Sequence, residues 1–395
     1  MPKKFPLVSV VVVNYNGKKY LKDCFDSLFD LNYPKDKIEI IMVDNLSSDG
    51  SIKYVKENYP KIKVIKNDVN NYCRANNLGI KKSKGEFVAL LNNDTKVDKN
   101  WLIELVKVIS KDNSVGAVGS KILLMDGRIS SVGHIECPHY NWGDKGFLEE
   151  DKGQYDRIRD VQSISNTSAL YRRKVLDEIG MLDEDFNMYM EDVDIAFRMR
   201  RKKWKILFVP NSVVYHELHG SQQTEEMRQF CLLRNRLLFI SKHFPEKLPE
   251  SICGFGEITQ LSYTDFQKIL ISVFNKLVRH QGLNKAMKIM SGLQKSIEIL
   301  EGYRQHCFKI ELEKRTVDIQ QQVFFKTEQI KVQQELIKTK EEQLHTQSTE
   351  LKVKEEQNKA QQEVIKDREK QLSSQDETIR SQDEQLQTQQ ELIKT

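Results

Sequence analysis

The chain has 395 residues, of which 39% are hydrophobic and 30% are charged, and its net charge is +5. Lysine and arginine are interspersed with acids, and no basic block gives support for nucleic-acid binding. No apolar run approaches the roughly 20 residues of a membrane-spanning helix. The six cysteines form no CxxC pair and predict reduced thiols, so we expect a cytoplasmic protein.

Short β-branched segments alternate with helical segments over the first hundred residues. Strands are predicted at 7–13, 38–43, 63–66 and 86–91, and helices at 18–31, 47–59, 73–83 and 99–110. Continuously apolar strands that are separated by helices predict a parallel sheet covered on both faces. The predicted fold class is therefore a doubly wound α/β domain.

The middle of the chain is more mixed. Strands are predicted at 115–124, 127–136 and 204–210, a strand followed by a helix at 168–180, and helices at 190–203 and over most of 222–300. The polar segment 137–160 predicts a mobile loop. The amphipathic helix at 265–280 is expected to pack on the preceding domain, and contact with a membrane surface is the open alternative.

The last hundred residues carry a row of side chains at every seventh position. The row is Ile330, Ile337, Leu344, Leu351, Asn358, Ile365, Leu372, Ile379, Leu386 and Ile393. A strict seven-residue repeat predicts a left-handed coiled coil. The second position of the seam is polar, so we expect weak self-association, and a solvated single helix is the alternative. A helix over 330–393 would be a stalk about 95 Å long.

Polar residues follow three of the early strands at the points where these strands end. Asn14 follows the first strand, Asp44 the second, and Asn92, Asn93 and Asp94 the fourth. The carboxyl ends of parallel strands share one edge of a sheet, where ligands bind in open α/β folds. A turn or cap role explains any one of these residues, but three strands in succession favour a common crevice.

This crevice lacks the usual backbone cradles for phosphate. No GxGxxG follows the first strand and no GxxxxGK[ST] occurs in the chain. Oxygen ligands suited to a hard divalent cation could neutralise a diphosphate instead. Asp94 is the only acid of its motif, so such an ion would need a second protein ligand or several waters.

An acidic cluster lies at the predicted start of the helix over 190–203. The helix dipole favours acids at this position, and this explains Asp194. Glu191 and Asp192 follow Met188–Met190, and the pair could place a base in a partly apolar pocket. A structural role at the helix start is the equal alternative for these two acids.

A third cluster follows the predicted strand over 204–210. His216 and His219 precede a Gly-Ser turn that would bring a histidine near a bound phosphate, and a structural histidine is the alternative. Further on, Arg234 lies on an apolar helix, where a charge should have a partner. A salt bridge to the acidic helix is the expected one.

The chain resembles the large inverting glycosyltransferase family 2, which has the GT-A fold, and within it the rhamnosyltransferase-like branch. The matching segments are "VSVVVVNYNG", "IIMVDNLSSDGS", "NNLGI", "GEFVALLNNDTKVDKNWL", "IGMLDEDFNMYMEDVDIAFRMR", "VVYHELHGS" and "LLRNRLLF". They keep the order and spacing of the family over residues 7–243. The resemblance implies a GT-A domain with a Rossmann-like mixed sheet at 1–243. The helical pattern and the heptads predict that a helical extension at 244–309 and the coiled coil at 310–395 follow it.

The resemblance also implies an activity. A sugar would move from a nucleotide-diphosphate sugar to a hydroxyl of a glycan, lipid-linked or protein-linked acceptor, with inversion at the anomeric carbon. Mg²⁺ or Mn²⁺ is the implied cofactor, and cell-surface polysaccharide or glycoconjugate synthesis the implied context. The inner face of the membrane is then a further expected location. A nucleotidyltransferase and a non-enzymatic scaffold that displays the coiled coil are the alternatives.

Individual residues receive roles from the same resemblance. Asp192 is the implied general base with Glu191 as its neighbour or substitute, and Asp94 and His216 are the implied metal ligands. The implied nucleotide-sugar-binding residues are Asn14, Asn16, Asp44, Asn45, Arg74, Asn92 and Asn93.

The segment "VNNYCRANN" departs from the family pattern. Asn71 stands where relatives commonly have glycine, a change that we expect to be tolerated because asparagine enters the left-handed region easily. Arg74 adds a charge near the expected nucleotide edge. The departure leaves the base and donor preference open, but not the fold.

Overall fold

A computed structural model describes residues 5–217, 224–248, 251 and 263–393. The chain divides into two compact units, Met1–Arg304 and Gln305–Thr395. The further division that the sequence predicts at residue 243 stays a prediction. None of the helices in the described ranges combines the length and the apolar character that crossing a bilayer requires.

The bounds of the elements follow in chain order. The strands are β1 (Val8–Asn14), β2 (Ile38–Asp44), β3 (Lys63–Lys66), β4 (Phe87–Asn92), β5 (Thr95–Val97), β6 (Val115–Leu124), β7 (Ile129–Ser131), β8 (His134–Cys137), β9 (Asn141–Asp144), β10 (Arg159–Asp160), β11 (Ser168–Arg172) and β12 (Lys205–His216). The helices are α1 (Lys18–Phe29), α2 (Ser51–Asn58), α3 (Tyr72–Lys82), α4 (Trp101–Ile109), α5 (Arg173–Ile179), α6 (Glu191–Arg201), α7 (Glu225–His243), α8 (Tyr263–Gln281) and α9 (Leu283–Ile393). Short 3-10 helices lie at Lys35–Lys37, Pro138–Tyr140 and Pro245–Lys247.

One mixed sheet forms the centre of the first unit. Its strand order is β10-β12-β6-β11-β4-β1-β2-β3, with β5 added to β12 and β7 added to β6. Strands β4, β1, β2 and β3 pair in parallel, whereas β11 runs antiparallel between β4 and β6. The parallel half was predicted from the alternation of strands and helices. Strands β8 and β9 form a separate hairpin.

Both faces of this sheet are covered, which is why β1 is apolar at nearly every position. Val11 and Val13 pack in a core with Cys73 of α3, while Val10 and Val12 pack in the opposite core with residues of α1 and α4. All seven residues of β1 are buried. Burial of a valine side chain stabilises a fold by about 1.5 to 3 kcal/mol, so a one-residue slip of β1 would disturb both cores.

The chain reverses direction directly after β4. Strand β5 runs antiparallel to β12, with Thr95 opposite His216 and Val97 opposite Val214. The backbone N–H of Glu217 also donates to the carbonyl oxygen of Asp94 at 3.0 Å. The sequence did not predict β5 because it has only three residues. This short ladder brings Asp94 and His216 together, although they are far apart in the sequence.

The segment 127–160 differs from its prediction. The predicted strand over 127–136 is interrupted at Gly133, whose φ of +107° lies in a region that favours glycine. The predicted mobile loop over 137–160 contains β9, which pairs with β8 from His134↔Asp144 to Cys137↔Asn141. The loop prediction was therefore wrong for residues 141–144, and also for Cys137 of β8 and for β10.

Helix α8 belongs to the first unit and packs into its core through its apolar face, as the sequence predicts. Phe266, Ile269, Val273 and Leu277 are buried in the same core as Leu237 of α7. This face is therefore occupied by protein and is not available to a membrane surface.

The long C-terminal helix predicted by the heptads is present as α9. Its row of apolar side chains is exposed, from 53% for Ile330 to 64% for Leu344. Pairing of this helix with another copy stays a prediction.

Candidate active site

Side chains join the carboxyl ends of three strands. Asn14 at the end of β1 lies in register with Asp44 at the end of β2, and both are buried. The Asn14 amide donates to Ser47 Oγ at 3.0 Å and faces Asp44 Oδ1 at 3.4 Å. Asn93, after β4, donates to Asn14 Oδ1 at 2.7 Å. The crevice expected from the three strand ends is therefore one hydrogen-bonded network.

Gly17 is required for this network. A Cβ atom at this position would lie 2.0 Å from Asn93 Nδ2 and 2.8 Å from Asn14 Oδ1. The preceding residue, Asn16, is left-handed with φ of +48° and accepts from the backbone N–H of Ser48 at 2.7 Å. The side chain of Asn16 thus connects the loops after β1 and β2.

Asn45 and Arg74 occupy a second group of polar residues next to the first. Asn45 Oδ1 accepts from Asn67 Nδ2 at 2.9 Å and from the backbone N–H of Asn71 at 3.2 Å. Asn45 Nδ2 donates to Asn70 Oδ1 at 2.7 Å, so the amide of Asn45 connects the loop after β2 to the loop before α3. Arg74 lies at the first turn of α3, where its exposed side chain pairs with Asp68 at 2.8 Å.

Asn71 does not use the left-handed region expected from its place in the sequence. Its φ is −139°, and its Oδ1 accepts from the backbone N–H of Arg74 at 2.9 Å. It is the N-cap of α3, where asparagine is among the preferred residues. The left-handed explanation for the change from glycine was wrong.

Asn92 links β4 to the chain entering β11. Its Oδ1 accepts from the hydroxyl of Tyr72 at 3.1 Å, and its Nδ2 donates to Thr167 Oγ1 at 3.3 Å. The neighbouring residue of Thr167, Asn166, donates to Glu191 Oε1 at 3.4 Å. This connection holds the acidic start of α6 beside the edge of the sheet.

Asp94 presents a buried oxygen toward His216. The residue is 9% exposed, and its Oδ1 has no hydrogen-bond partner within the described residues. His216 Nε2 lies 3.3 Å from that oxygen, within ion-pair distance but without hydrogen-bond geometry. An orphaned carboxylate oxygen next to an imidazole nitrogen fits a divalent cation, since both are suitable ligands.

These two residues would not hold a cation by themselves. In the described parts of the chain no group of three or more His, Cys, Asp or Glu side chains is arranged around one metal position. The remaining ligands would be waters or oxygens of a bound diphosphate. His219, the other histidine of that cluster, lies outside the described residues together with the Gly-Ser turn.

The turn before α6 is strained and is held from α7. Asn187, Tyr189 and Met190 have φ values of +62°, +72° and +63°. The amide of Asn235 donates to the carbonyl oxygens of Phe186, Met188 and Tyr189 at 2.7 to 2.8 Å. Non-glycine residues with positive φ cost about 1 to 3 kcal/mol each, and such strain persists where the surroundings fix the conformation.

Arg234 has a different partner from the expected one. Its guanidinium donates to the carbonyl oxygen of Asp185 at 2.7 Å and to Asn235 Oδ1 at 2.8 Å. The salt bridge to the acidic helix was therefore the wrong prediction. Arg234 and Asn235 together hold the segment that leads to Glu191.

Glu191 and Asp192 differ in exposure. Glu191 is 4% exposed, and its Oε2 is buried without a hydrogen-bond partner among the described groups. The side chain of Asp192 is 14% exposed. Burial, followed by the charge of Asp192, raises the pKa of Glu191 to about 8. Burial also raises the pKa of Asp192, and the nearby His134 opposes this.

A histidine from the β8–β9 hairpin completes the acidic pocket. His134 Nε2 lies 3.4 Å from Asp144 Oδ1 and 3.8 Å from Asp192 Oδ2. Its Nδ1 lies 3.0 Å from Ser163 Oγ, and that hydroxyl contacts the carbonyl oxygen of Asp192 at 3.2 Å. The sequence did not predict these residues, and its one signal for His134 is that histidine is scarce, with 8 in 395 residues.

Asp194 has a structural role, as the sequence suggests. Besides the dipole of α6, three side chains contact its carboxylate. The carboxylate of Asp194 lies 2.9 Å from Arg198, 2.7 Å from Lys242 and 2.8 Å from His243. Burial alone would raise the pKa of Asp194, but the hydrogen bond from His243 and the neighbouring cations hold it well below its usual range. These contacts fix α6 against α7.

Residues 9–180 match the family model described as glycosyl transferase family 2. Over this part of the chain, which is somewhat less than half of it, the sequence is similar to that family. The chain is 26% identical over 231 residues to the O-antigen biosynthesis protein RfbC of Myxococcus xanthus. This alignment covers 56% of this chain and 18% of RfbC. The chain is also 24% identical over 225 residues to the probable glycosyltransferase YdaM of Bacillus subtilis. This second alignment covers 54% of this chain and 51% of YdaM.

The fold of the domain is GT-A. The structure is similar to that of GalNAc-T7, solved with UDP, GalNAc and Mn²⁺, with a TM-score of 0.53 and 19% identity over 72% of this chain and 56% of that chain. The chain spans at most about half the length of the curated relatives RfbC and YdaM. The rhamnosyltransferase-like branch stays a prediction.

The raised pKa of Glu191 predicts a pH-dependent effect on stability. Its folded pKa of about 8 lies above the value of about 4.3 in an unfolded chain. Its contribution is therefore fully present below about pH 4.3 and is lost as the pH rises through about 8. Glu191→Gln stays neutral, so its unfolding free energy relative to the wild type should increase by roughly 2 kcal/mol or more between about pH 5 and pH 9.

Urea unfolding followed by tryptophan fluorescence measures this difference, because Trp101, Trp142 and Trp204 all lie in the first unit. The exposed Glu57 of α2 provides the control, and Glu57→Gln should change stability equally at both pH values. A Glu191→Gln effect that does not vary with pH would contradict the buried neutral carboxyl.

Proposed function

We propose that the protein transfers a sugar from a nucleotide-diphosphate sugar to a hydroxyl of a glycan or glycoconjugate acceptor, with inversion at the anomeric carbon. The observation that carries the proposal is the set of hydrogen bonds that links the carboxyl end of β4 to the acidic start of α6. Asp94 offers an orphaned oxygen beside His216, and Asp192 lies in a second acidic pocket that Asn166 and Thr167 connect to β4. Similarity to an O-antigen biosynthesis protein supports a glycan acceptor.

Asp192 is the proposed general base. It keeps more exposure than Glu191, and a base must reach the acceptor hydroxyl. Its carboxylate takes the proton of the acceptor O–H while that oxygen forms a bond to the anomeric carbon. The bond from the anomeric carbon to the phosphate oxygen breaks, and its electron pair leaves with the nucleoside diphosphate. Attack opposite the leaving group inverts the configuration.

Asp94 and His216 are the proposed ligands of Mg²⁺ or Mn²⁺. Bound at this position, the cation would offset the negative charge of the departing diphosphate. Asn14, Asp44 and Asn93 form the hydrogen-bonded floor of the proposed nucleotide pocket, with Asn16 and Asn45 behind it. Arg74 lies at the rim and Asn92 at the end of β4, where a sugar or ribose hydroxyl would approach.

Removal of the base should separate chemistry from binding. Asp192→Asn keeps the size of the side chain and should lower kcat by about 10² to 10⁴-fold, the usual contribution of general base catalysis. Donor affinity, measured by calorimetry, should stay nearly unchanged. The exposed Asp177 of α5 provides the matched control, and Asp177→Asn should transfer at the wild-type rate. Wild-type turnover in Asp192→Asn would remove Asp192 from the mechanism.

Product analysis of the wild type separates the competing activities. A panel of UDP-, dTDP- and GDP-sugars identifies the donor, and a glycosyltransferase releases a nucleoside diphosphate. Release of pyrophosphate would instead identify a nucleotidyltransferase. No turnover with any donor, together with no nucleotide binding, would favour the scaffold alternative.

Loss of Asp94 should remove the effect of the metal on nucleotide binding. UDP and Mn²⁺ are suitable first probes because the structure of GalNAc-T7 contains both. Wild-type affinity for UDP should fall by about tenfold or more when EDTA replaces Mn²⁺, which corresponds to about 1.4 kcal/mol. Asp94→Asn should bind UDP weakly in both conditions. Asp98→Asn, at an exposed position after β5, is the control, and equal UDP affinity of the wild type with Mn²⁺ and with EDTA would refute the metal site.

We further propose that α9 pairs with α9 of a second copy. The exposed apolar row supports this, and Asn358 within the row would favour one register, as polar seam residues do in coiled coils. Leu344→Asp should shift the full chain from dimer to monomer in light scattering. Gln343→Asp, one position away from the row, should leave the dimer intact. A wild-type monomer at all protein concentrations would exclude the pairing.

A further inference from the structure

The hydrogen bonds around His134 determine the protonation of its Nδ1 atom. The Ser163 hydroxyl lies 3.2 Å from the carbonyl oxygen of Asp192, which can only accept. The single proton of that hydroxyl is therefore donated to the carbonyl oxygen. Ser163 Oγ must then accept at its 3.0 Å contact with His134, so Nδ1 carries a proton.

The other ring nitrogen faces two carboxylates. Asp144 Oδ1 lies 3.4 Å from Nε2 and Asp192 Oδ2 lies 3.8 Å from it. The pKa of Asp144 is lowered, because the contact with His134 outweighs the effect of burial, so this carboxyl is ionised. An ionised carboxylate only accepts, which favours a proton on Nε2 as well and an imidazolium ring. Burial alone would lower the pKa of His134, but Asp192 and then Asp144 outweigh it and raise that pKa to about 9.

The hairpin holds this cation in place. His134 and Asp144 are directly opposite in the β8–β9 pairing, and the backbone N–H of His134 donates to the carbonyl oxygen of Ser163 at 2.9 Å. The ring is 9% exposed. Backbone hydrogen bonds on both sides thus fix the position of the imidazolium relative to Asp192.

We propose that His134 is a positioning residue that keeps Asp192 ionised, and therefore able to accept a proton, through the neutral pH range. The inference rests on the proposed function in assigning Asp192 as the base. Without His134, a buried acid between two other carboxyl groups would hold its proton and could not act as a base.

Other titratable groups face Asp192 from the elements packed around it. They are Glu191 from α6, Asp144 from β9, Tyr72 and Cys73 from α3, and Tyr171 from β11. Burial raises the pKa values of Tyr72, Cys73 and Tyr171 well above the usual ranges, so these three are neutral. His216 acts one step away, on Asp144. Within this set, His134 is the cation that faces Asp192.

Two variants should move the pH profile of transfer in opposite directions. His134→Gln keeps hydrogen-bonding capacity but removes the charge, so the acidic limb of kcat should shift to higher pH by about one unit or more. Asp144→Asn removes a negative charge near Asp192, so the same limb should shift to lower pH. The activity of His134→Gln should recover toward the wild-type rate at high pH.

A merely structural role predicts a different result. If His134 only supported packing, His134→Gln would lose the same fraction of kcat at every pH, and the acidic limb would not move. That outcome would overturn the proposal. UDP affinity of each variant checks that the nucleotide pocket is intact.

A second measurement does not depend on turnover. Long-range ¹H–¹⁵N spectra of the full chain labelled with ¹⁵N-histidine follow the ring nitrogens of His134, whose signal is assigned by its absence in His134→Gln. The ring should remain an imidazolium at about pH 8, and Asp192→Asn should lower its midpoint by about one unit or more. A midpoint near 6.5 would refute the pairing. If the ring is an imidazolium and no donor is turned over, the proposed function fails while the pairing stands.

Discussion

An ionised carboxyl removed from water costs several kcal/mol unless charges or hydrogen bonds replace its hydration. Glu191 and Asp192 impose this cost twice at the start of one helix, and the surrounding residues reduce it in different ways. Glu191 accepts from the Asn166 amide, and burial raises its pKa to about 8, whereas Asp192 Oδ2 lies 3.8 Å from the ring of His134. The neighbouring turn is kept in its strained form by Asn235, which has three carbonyl partners.

The two acid sites share one design. Each places a carboxylate beside an imidazole that comes from a different strand, Asp94 with His216 of β12 and Asp192 with His134 of β8. The two sites differ in whether the protein itself supplies a positive partner for the carboxylate. Asp94 Oδ1 is left without a hydrogen bond among the described groups, which suits an oxygen that awaits a cation. Asp192 already has its positive partner within the protein, which suits a group that exchanges protons.

Much of the fold and part of the site followed from the sequence because both rest on local patterns. Apolar strands predicted the parallel half of the sheet, and strand order alone placed Asn14, Asp44 and Asn93 on one edge. His134 and Asp144 could not be found in this way, since their strands have only four residues each and form a hairpin apart from the main sheet. The register of β5 on β12, which joins Asp94 to His216, is equally non-local. Asn235 was hidden because its role is to cap a turn far away in the sequence.

The asparagines of the crevice have a different task from the acids. The amides of Asn14, Asn45 and Asn92 are each bonded to another loop or strand. Neutral amides can connect loops at this edge without adding charge to a region where a diphosphate would bring several negative charges. A carboxylate in any of these positions would repel that ligand, and a cation would compete for Asp94. The single acid of "NND" is therefore consistent with its setting: the amides fix the shape of the crevice, and Asp94 with His216 forms the proposed position of the cation.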